Sequence, residues 1–307
     1  MRLADAITHY VDLKQSMGMR FRSQRQILQA FRRHVGDVQL ADVAPDAVSA
    51  FLSGRGRMTT TWLNKHRTLR AFYRHWIARG RITQTPVPTV VPRIVSTFVP
   101  HIYDDDELRR LLAAIDSNQA RRGCQIAAPT FRVLLLLLYG AGLRISEAVN
   151  LTRGDVDLEA GVLLIRETKF FKARALPLGP TLLDRLITHA ARAPRGPARE
   201  ADAPFFITTR STASTIPMAR LNFVHLRARA GIDGRARLHD LRHSFAVNRL
   251  VAWYREGADV QRLVPHLSTY LGHRRMVSTQ RYLTMIPELL EQANRRFERY
   301  ALEVSRA

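Results

Sequence analysis

The stretch LHDLRHSFAV, Leu238 to Val247, sets His239 and His243 four residues apart with Arg242 between them. On a helix such a pair shares one face, which is the spacing of a zinc helix. A hydrolytic zinc site adds a glutamate directly after the first histidine and a third ligand nearby. Here that position is Asp240, one carbon shorter. Arg242, one turn after His239, would hold its guanidinium beside the metal and repel it. A phosphate site uses the same residues better. His239 and Arg242 share a face, and together they can move a proton and stabilise charge on nonbridging oxygens. This reading needs no metal and sends His243 elsewhere, into structure.

The rest of the chain supplies the context. Its 307 residues include 48 Lys and Arg against 26 Asp and Glu, a formal charge of +22. Charge of that size calls for a large acidic partner, and nucleic acid is the leading candidate. Only Lys14, Lys65, Lys169 and Lys172 are lysines. The bias toward arginine suits bidentate phosphate binding and makes each lysine conspicuous. The single cysteine, Cys124, excludes an intrachain disulfide and a cysteine-based zinc knot, and reads as a structural thiol. The N-terminus has no apolar signal core, and the aliphatic run Val133 to Leu138 falls far short of the ~20 residues a bilayer requires. A soluble, cytoplasmic protein with no membrane partner is expected.

Residues 1–85 read as one helical unit, with Ile27, Leu28, Phe31 and Val35 at helical intervals. Within it, TTTWLNKHRTLRAFYRHWIARG interleaves Trp62, Phe72, Tyr73 and Trp76 with Lys65, Arg67, Arg70, Arg74 and Arg79. That pattern suits aromatics facing a core and cations facing phosphates, although a solvated basic face would look the same. Four prolines between Thr85 and His101 cannot sit in a helix, so 86–102 reads as a linker. The acidic turn Asp104 to Glu107 then starts a new helix, and a second domain runs from 103 to 307. Its centre passes from the buried helix FRVLLLLLYG through Gly140-Ala141-Gly142 to LRISEAVNL. Two strand-like stretches follow, GVLLIRET and ARALPLG, with a charged hairpin tip between them. The Pro-rich loop from Ala193 to Pro204 is expected only to wrap the surface.

Four motifs in this half, in order, resemble the tyrosine recombinase family, the phage integrase type of site-specific DNA recombinase. They are GAGLRISEAVNL, TKFFKARALPL, LHDLRHSFAV and LGHRRMVSTQRYLT, and the likeness covers nearly all of residues 103–285. It implies a mainly α protein with a small β-sheet in a mixed α/β catalytic domain, preceded by a helical core-binding domain. It also implies catalytic roles for Arg144, Lys169, His239, Arg242, His273 and Tyr282, with Glu147 in support. Lys172 is the alternative to Lys169, because Phe170 and Phe171 depart from the usual hairpin tip.

A phenol with a free pKa of ~10 needs a base and nearby cations to act as a nucleophile. The resemblance implies that Tyr282 attacks a DNA phosphodiester to give a 3′-phosphotyrosine, with Lys169 protonating the departing 5′-oxygen and His239 holding the tyrosine proton. No cofactor, ATP or metal is implied. The partners would be double-stranded DNA, contacted by Lys65, Arg67, Arg70, Arg74 and Lys172, and further copies of the chain in a synaptic tetramer. Integration, excision or transposition of a mobile element would be the task. A type IB topoisomerase or a catalytically inert DNA-binding accessory protein are the competing readings. Beyond Pro287, Leu289, Ala293, Phe297, Tyr300 and Val304 form one apolar stripe, expected to dock on a neighbouring protomer.

Overall fold

The computed structural model describes residues 1–54, 59–91, 99–166, 173–192, 200–273, 276, 279, 280 and 282. The chain divides into two compact units, Met1–Phe98 and Val99–Ala307.

The first unit is helical: α1 (Leu3–Ser16), α2 (Arg22–Val35), α3 (Pro45–Ser53) and α4 (Thr60–Ile77). Thr59 caps α4 by accepting from the Thr61 N–H. On α4 the aromatic stripe Trp62, Phe72, Tyr73 and Trp76 is buried, while Arg67, Arg70 and Arg74 are exposed. Lys65 differs from these cations. Its ammonium donates to the Phe51 carbonyl at 2.7 Å and lies 4.3 Å from the centre of the Phe51 ring, so it closes the end of α3. The start of the Pro-rich segment is packed here: Val87 is buried and the Pro88 carbonyl lies 2.8 Å from His66 Nε2.

In the second unit α5 (Asp105–Ala113) opens with a reciprocal cap: Glu107 N donates to Asp104 Oδ1 at 2.7 Å, and Asp104 N to Glu107 Oε2 at 3.3 Å. After α6 (Ile115–Gln119) comes α7 (Ala128–Gly140), whose Phe131, Leu134, Leu135, Leu137 and Leu138 are almost wholly buried. Each such side chain contributes about 1.5–3 kcal/mol by leaving water, so α7 forms the spine of this unit. Then follow α8 (Ile145–Val149) and an antiparallel sheet of β1 (Val156–Asp157), β2 (Val162–Ile165) and β3 (Arg174–Pro177), in that order. Leu163, Ile165 and Leu176 face the core, and Ile165 pairs with Arg174. The expected hairpin is therefore present, with the short β1 added at its side. Helices α9 (Pro180–Ala191), α10 (Ile216–Arg229), α11 (Asp240–Arg255) and α12 (Val260–Leu271) complete the unit.

The end of the 193–204 loop departs from the sequence expectation, because it is tied into the fold. Arg153 N donates to Ala203 O at 2.9 Å and Gly154 N to Ala201 O at 2.8 Å. Phe205 and Phe206, directly after, are buried. The apolar pair pulls the preceding backbone inward, where its carbonyls need partners. No helix among the described residues is long and apolar enough to cross a membrane.

Candidate active site

Three arginines converge on one carboxylate. Arg144 stands at the N-terminus of α8, and one turn on, Glu147 accepts its backbone N–H at 3.0 Å and its Nη1 at 2.6 Å. Arg174, at the start of β3, adds Nη2 and Nη1 to the two Glu147 oxygens at 2.9 and 3.2 Å. Arg242 Nη1, from α11, lies 3.7 Å from Glu147 Oε2. Burial alone would raise the Glu147 pKa, but the hydrogen bonds and charge of Arg174, then those of Arg144, outweigh it and bring it down to about 2.

The arginines are also fixed to backbone carbonyls. Arg242, 1% exposed, donates to Gly142 O and to Leu271 O. Arg144 Nη2 reaches Gly272 O at 2.7 Å, and Arg174 Nε reaches Tyr270 O at 2.8 Å. The C-terminal end of α12 thus supplies an acceptor to each guanidinium. Two glycines make this possible. Gly142 has φ +59°, and a Cβ there would fall 2.4 Å from the Phe245 ring. Gly272 has φ +65°, and a Cβ would sit 2.8 Å from Arg174 Nη1. Burial lowers the Arg242 pKa to about 9, with the Arg144 charge pushing the same way and Glu147 opposing. The guanidinium stays charged at neutral pH.

Against this cationic floor lie three histidines and a tyrosine. Tyr282 is 4% exposed, and its Oη sits 2.8 Å from His243 Nδ1. His273 follows the left-handed Gly272 and stacks on the Tyr282 ring with centroids 6.2 Å apart; its Nδ1 lies 2.7 Å from Thr279 Oγ1. His239, the residue before α11, meets His243 edge to face at 4.9 Å. It is exposed at the surface, yet surrounding protein, then the His243 and Arg242 charges, bring its pKa down to about 4. Burial, with Arg242 and Arg144, takes His273 to about 3. Burial raises the Tyr282 phenol while Arg242 and Arg144 pull it down.

The structure thus gathers Arg144, Glu147, His239, Arg242, His273 and Tyr282 into one cluster. His243 corrects the sequence reading, since it points at the Tyr282 hydroxyl and not away into structure. Helical spacing gives its angle on α11 but not what a segment 39 residues later brings to meet it. Arg174 lies outside the sequence expectation, because in a basic chain it reads as one more arginine; its place at the hairpin base beside the expected lysine is the available signal. Asp240, which stood where a zinc helix carries glutamate, is fully buried and holds Arg237 Nη2 at 2.7 Å. Among the described residues no three His, Cys, Asp or Glu side chains are grouped to hold a metal ion. Lys169, Lys172 and the tail from 287 lie outside the described residues.

A model of the phage integrase family matches residues 102–287. The integrase/recombinase y4rE of Sinorhizobium fredii is 34% identical over 297 residues, 96% of this chain and 95% of that protein. The Tn1549 transposon integrase, solved in complex with transposon right end DNA, has the same fold at a TM-score of 0.70 and 17% identity, covering 98% of this chain and 100% of that one. A lambda integrase tetramer bound to a Holliday junction gives 0.65 at 19% identity, covering 90% and 78%. The chain belongs to the phage integrase family. Within it the protein is a site-specific tyrosine recombinase, an enzyme that breaks and rejoins DNA.

Proposed function

We propose that Tyr282 is the residue that joins DNA, attacking a phosphodiester to form a 3′-phosphotyrosine and free a 5′-hydroxyl. The observation that carries this reading is the placement of its hydroxyl, buried and held by His243 in the same cluster as Arg144 and Arg242. The two arginines hold the nonbridging oxygens and stabilise the charge that grows on them in the transition state. Glu147 fixes both guanidiniums, and Arg174 fixes Glu147. His273 adds a donor to the phosphate. The tyrosine proton leaves toward the histidine pair His239 and His243. Lys169, or Lys172 in its place, protonates the departing 5′-oxygen. The phosphotyrosine bond retains the energy of the broken strand, so rejoining needs no ATP, metal or other cofactor.

The substrate is duplex DNA, and Arg67, Arg70 and Arg74 on the exposed face of α4 contact its phosphates. Four protomers act on two duplexes, a reading supported by the lambda integrase tetramer on a Holliday junction. The tail beyond 287 docks on a neighbouring protomer. The biological task is integration, excision or transposition of a mobile element, carried out in the bacterial cytoplasm at the nucleoid. On a nicked suicide duplex, Tyr282→Phe should form no covalent adduct while keeping its affinity for DNA, because one oxygen is lost from a site held by many cations. An adduct still formed by this variant would reject the assignment.

A further inference from the structure

We infer that Arg174 is a positioning residue for strand cleavage, one that acts on the scissile phosphate through Glu147 and Arg144. The inference rests on Arg144 and Arg242 being the clamp for the phosphate oxygens. Every nitrogen of the Arg174 guanidinium is engaged inside the protein: Nη1 and Nη2 donate to the two Glu147 oxygens at 3.2 and 2.9 Å, and Nε donates to Tyr270 O at 2.8 Å. Its side chain is 11% exposed and offers DNA little surface of its own, whereas Arg144 keeps 31% of its side chain exposed.

A carboxylate accepts in about four lone-pair directions. Glu147 gives two contacts to Arg174 and two to Arg144, whose backbone N–H and Nη1 approach at 3.0 and 2.6 Å. Arg242 Nη1 stands off at 3.7 Å, beyond hydrogen-bond reach. Without Arg174, half of the acceptor capacity of a carboxylate that is only 7% exposed would be open. Such a group does not stay unsatisfied at small cost, and Arg144 and Arg242 are the cations beside it. Each would be drawn toward Glu147 and away from the place where it meets a phosphate oxygen. Arg174 thus satisfies the carboxylate so that the clamp need not. A lysine could not replace it, because one ammonium cannot hold both carboxylate oxygens in a plane and a carbonyl on its other edge.

The same guanidinium also fixes the end of α12. The consecutive carbonyls of Tyr270, Leu271 and Gly272 accept from Arg174, Arg242 and Arg144 in turn. His273 follows directly on the left-handed Gly272, where a Cβ would fall 2.8 Å from Arg174 Nη1. Arg174 therefore ties β3 to α8 and to the turn that carries His273. Strand β3 is also the arm returning from the tip with Lys169 and Lys172, which offers a second route from Arg174 to the chemistry, through the general acid. Substrate chemistry separates the two routes.

The test is single-turnover cleavage of a nicked suicide duplex by the full chain, with DNA affinity and melting temperature measured alongside. Arg174→Ala and Arg174→Lys should both cleave a normal phosphodiester about 100-fold more slowly than wild type, the scale of a clamp displaced by an ångström, with affinity retained. On a scissile methylphosphonate, which lacks the nonbridging charge that the clamp must meet, the gap should narrow by about tenfold or more. On a 5′-bridging phosphorothiolate, whose leaving group needs no proton, the gap should stay as wide as on the normal substrate. Arg174→Lys decides the matter if the alanine variant does not fold. A gap equal on all three substrates would reduce Arg174 to a structural residue, and a gap closed by the bridging sulfur would move its action to the hairpin lysine; either overturns the inference, as would wild-type cleavage by Arg174→Lys. Arg144→Ala should show the same narrowing on the methylphosphonate. If it shows none, the clamp reading itself fails, and the inference falls with it for a separate reason.

Discussion

Glu147 is the residue on which the charges of the site balance. It meets three guanidiniums, those of Arg144, Arg174 and Arg242, and its side chain is 7% exposed. Replacing it by Gln leaves those cations without their counter-charge, and breaking a buried pair in this way costs about 3–5 kcal/mol. Its folded pKa of about 2 lies below its ordinary value of ~4.3, so the stability it contributes is present above about pH 4.3 and is lost as pH falls toward 2. His239 and His273, lowered to about 4 and 3, act earlier. Below their ordinary value of ~6.5 the unfolded chain binds protons that the folded one does not, so stability falls there too. Denaturant unfolding of wild type should therefore weaken from about pH 6.5 downward. Glu147→Gln should be weaker throughout and flatter only below pH 4.3. An identical acid limb in both proteins would contradict this charge balance.

At the scale of elements, the sequence was most legible where a local rule acts alone. The Asp104–Glu107 cap, the aliphatic run of α7 and the alternation of the β2–β3 hairpin all depend on near neighbours, and each is present. What was not legible depends on long-range meetings. Arg174 finds Glu147 across 27 residues and His243 finds Tyr282 across 39, and neither periodicity nor composition encodes such pairings. The tie between 152–154 and 201–204 was hidden for the same reason. On α4, residue type alone did not separate Lys65 from its arginine neighbours; the carbonyl of Phe51 does. Arg67→Ala, Arg70→Ala and Arg74→Ala should each lower the salt dependence of DNA binding by about one phosphate contact. Lys65→Ala should leave that slope unchanged and lower the melting temperature of the helical unit. A Lys65 variant that loses slope and keeps stability would place its ammonium on DNA.

For the whole molecule, a formal charge of +22 and membership of the phage integrase family describe a protein that grips DNA and cuts it through a tyrosine. Charge accounts for gripping, because displaced counterions favour binding to any duplex. Cutting at one phosphate is what we propose for the cluster around Tyr282, where burial raises the phenol and Arg242 and Arg144 pull against that rise. The most direct measurement is to trap the wild-type protein on a nicked duplex carrying its recombination site, digest the adduct, and locate the nucleotide by mass spectrometry. The DNA should be attached through its 3′-phosphate to the peptide containing Tyr282, with a free 5′-hydroxyl on the other strand end. Attachment to any other residue, or through a 5′-phosphate, would contradict the account.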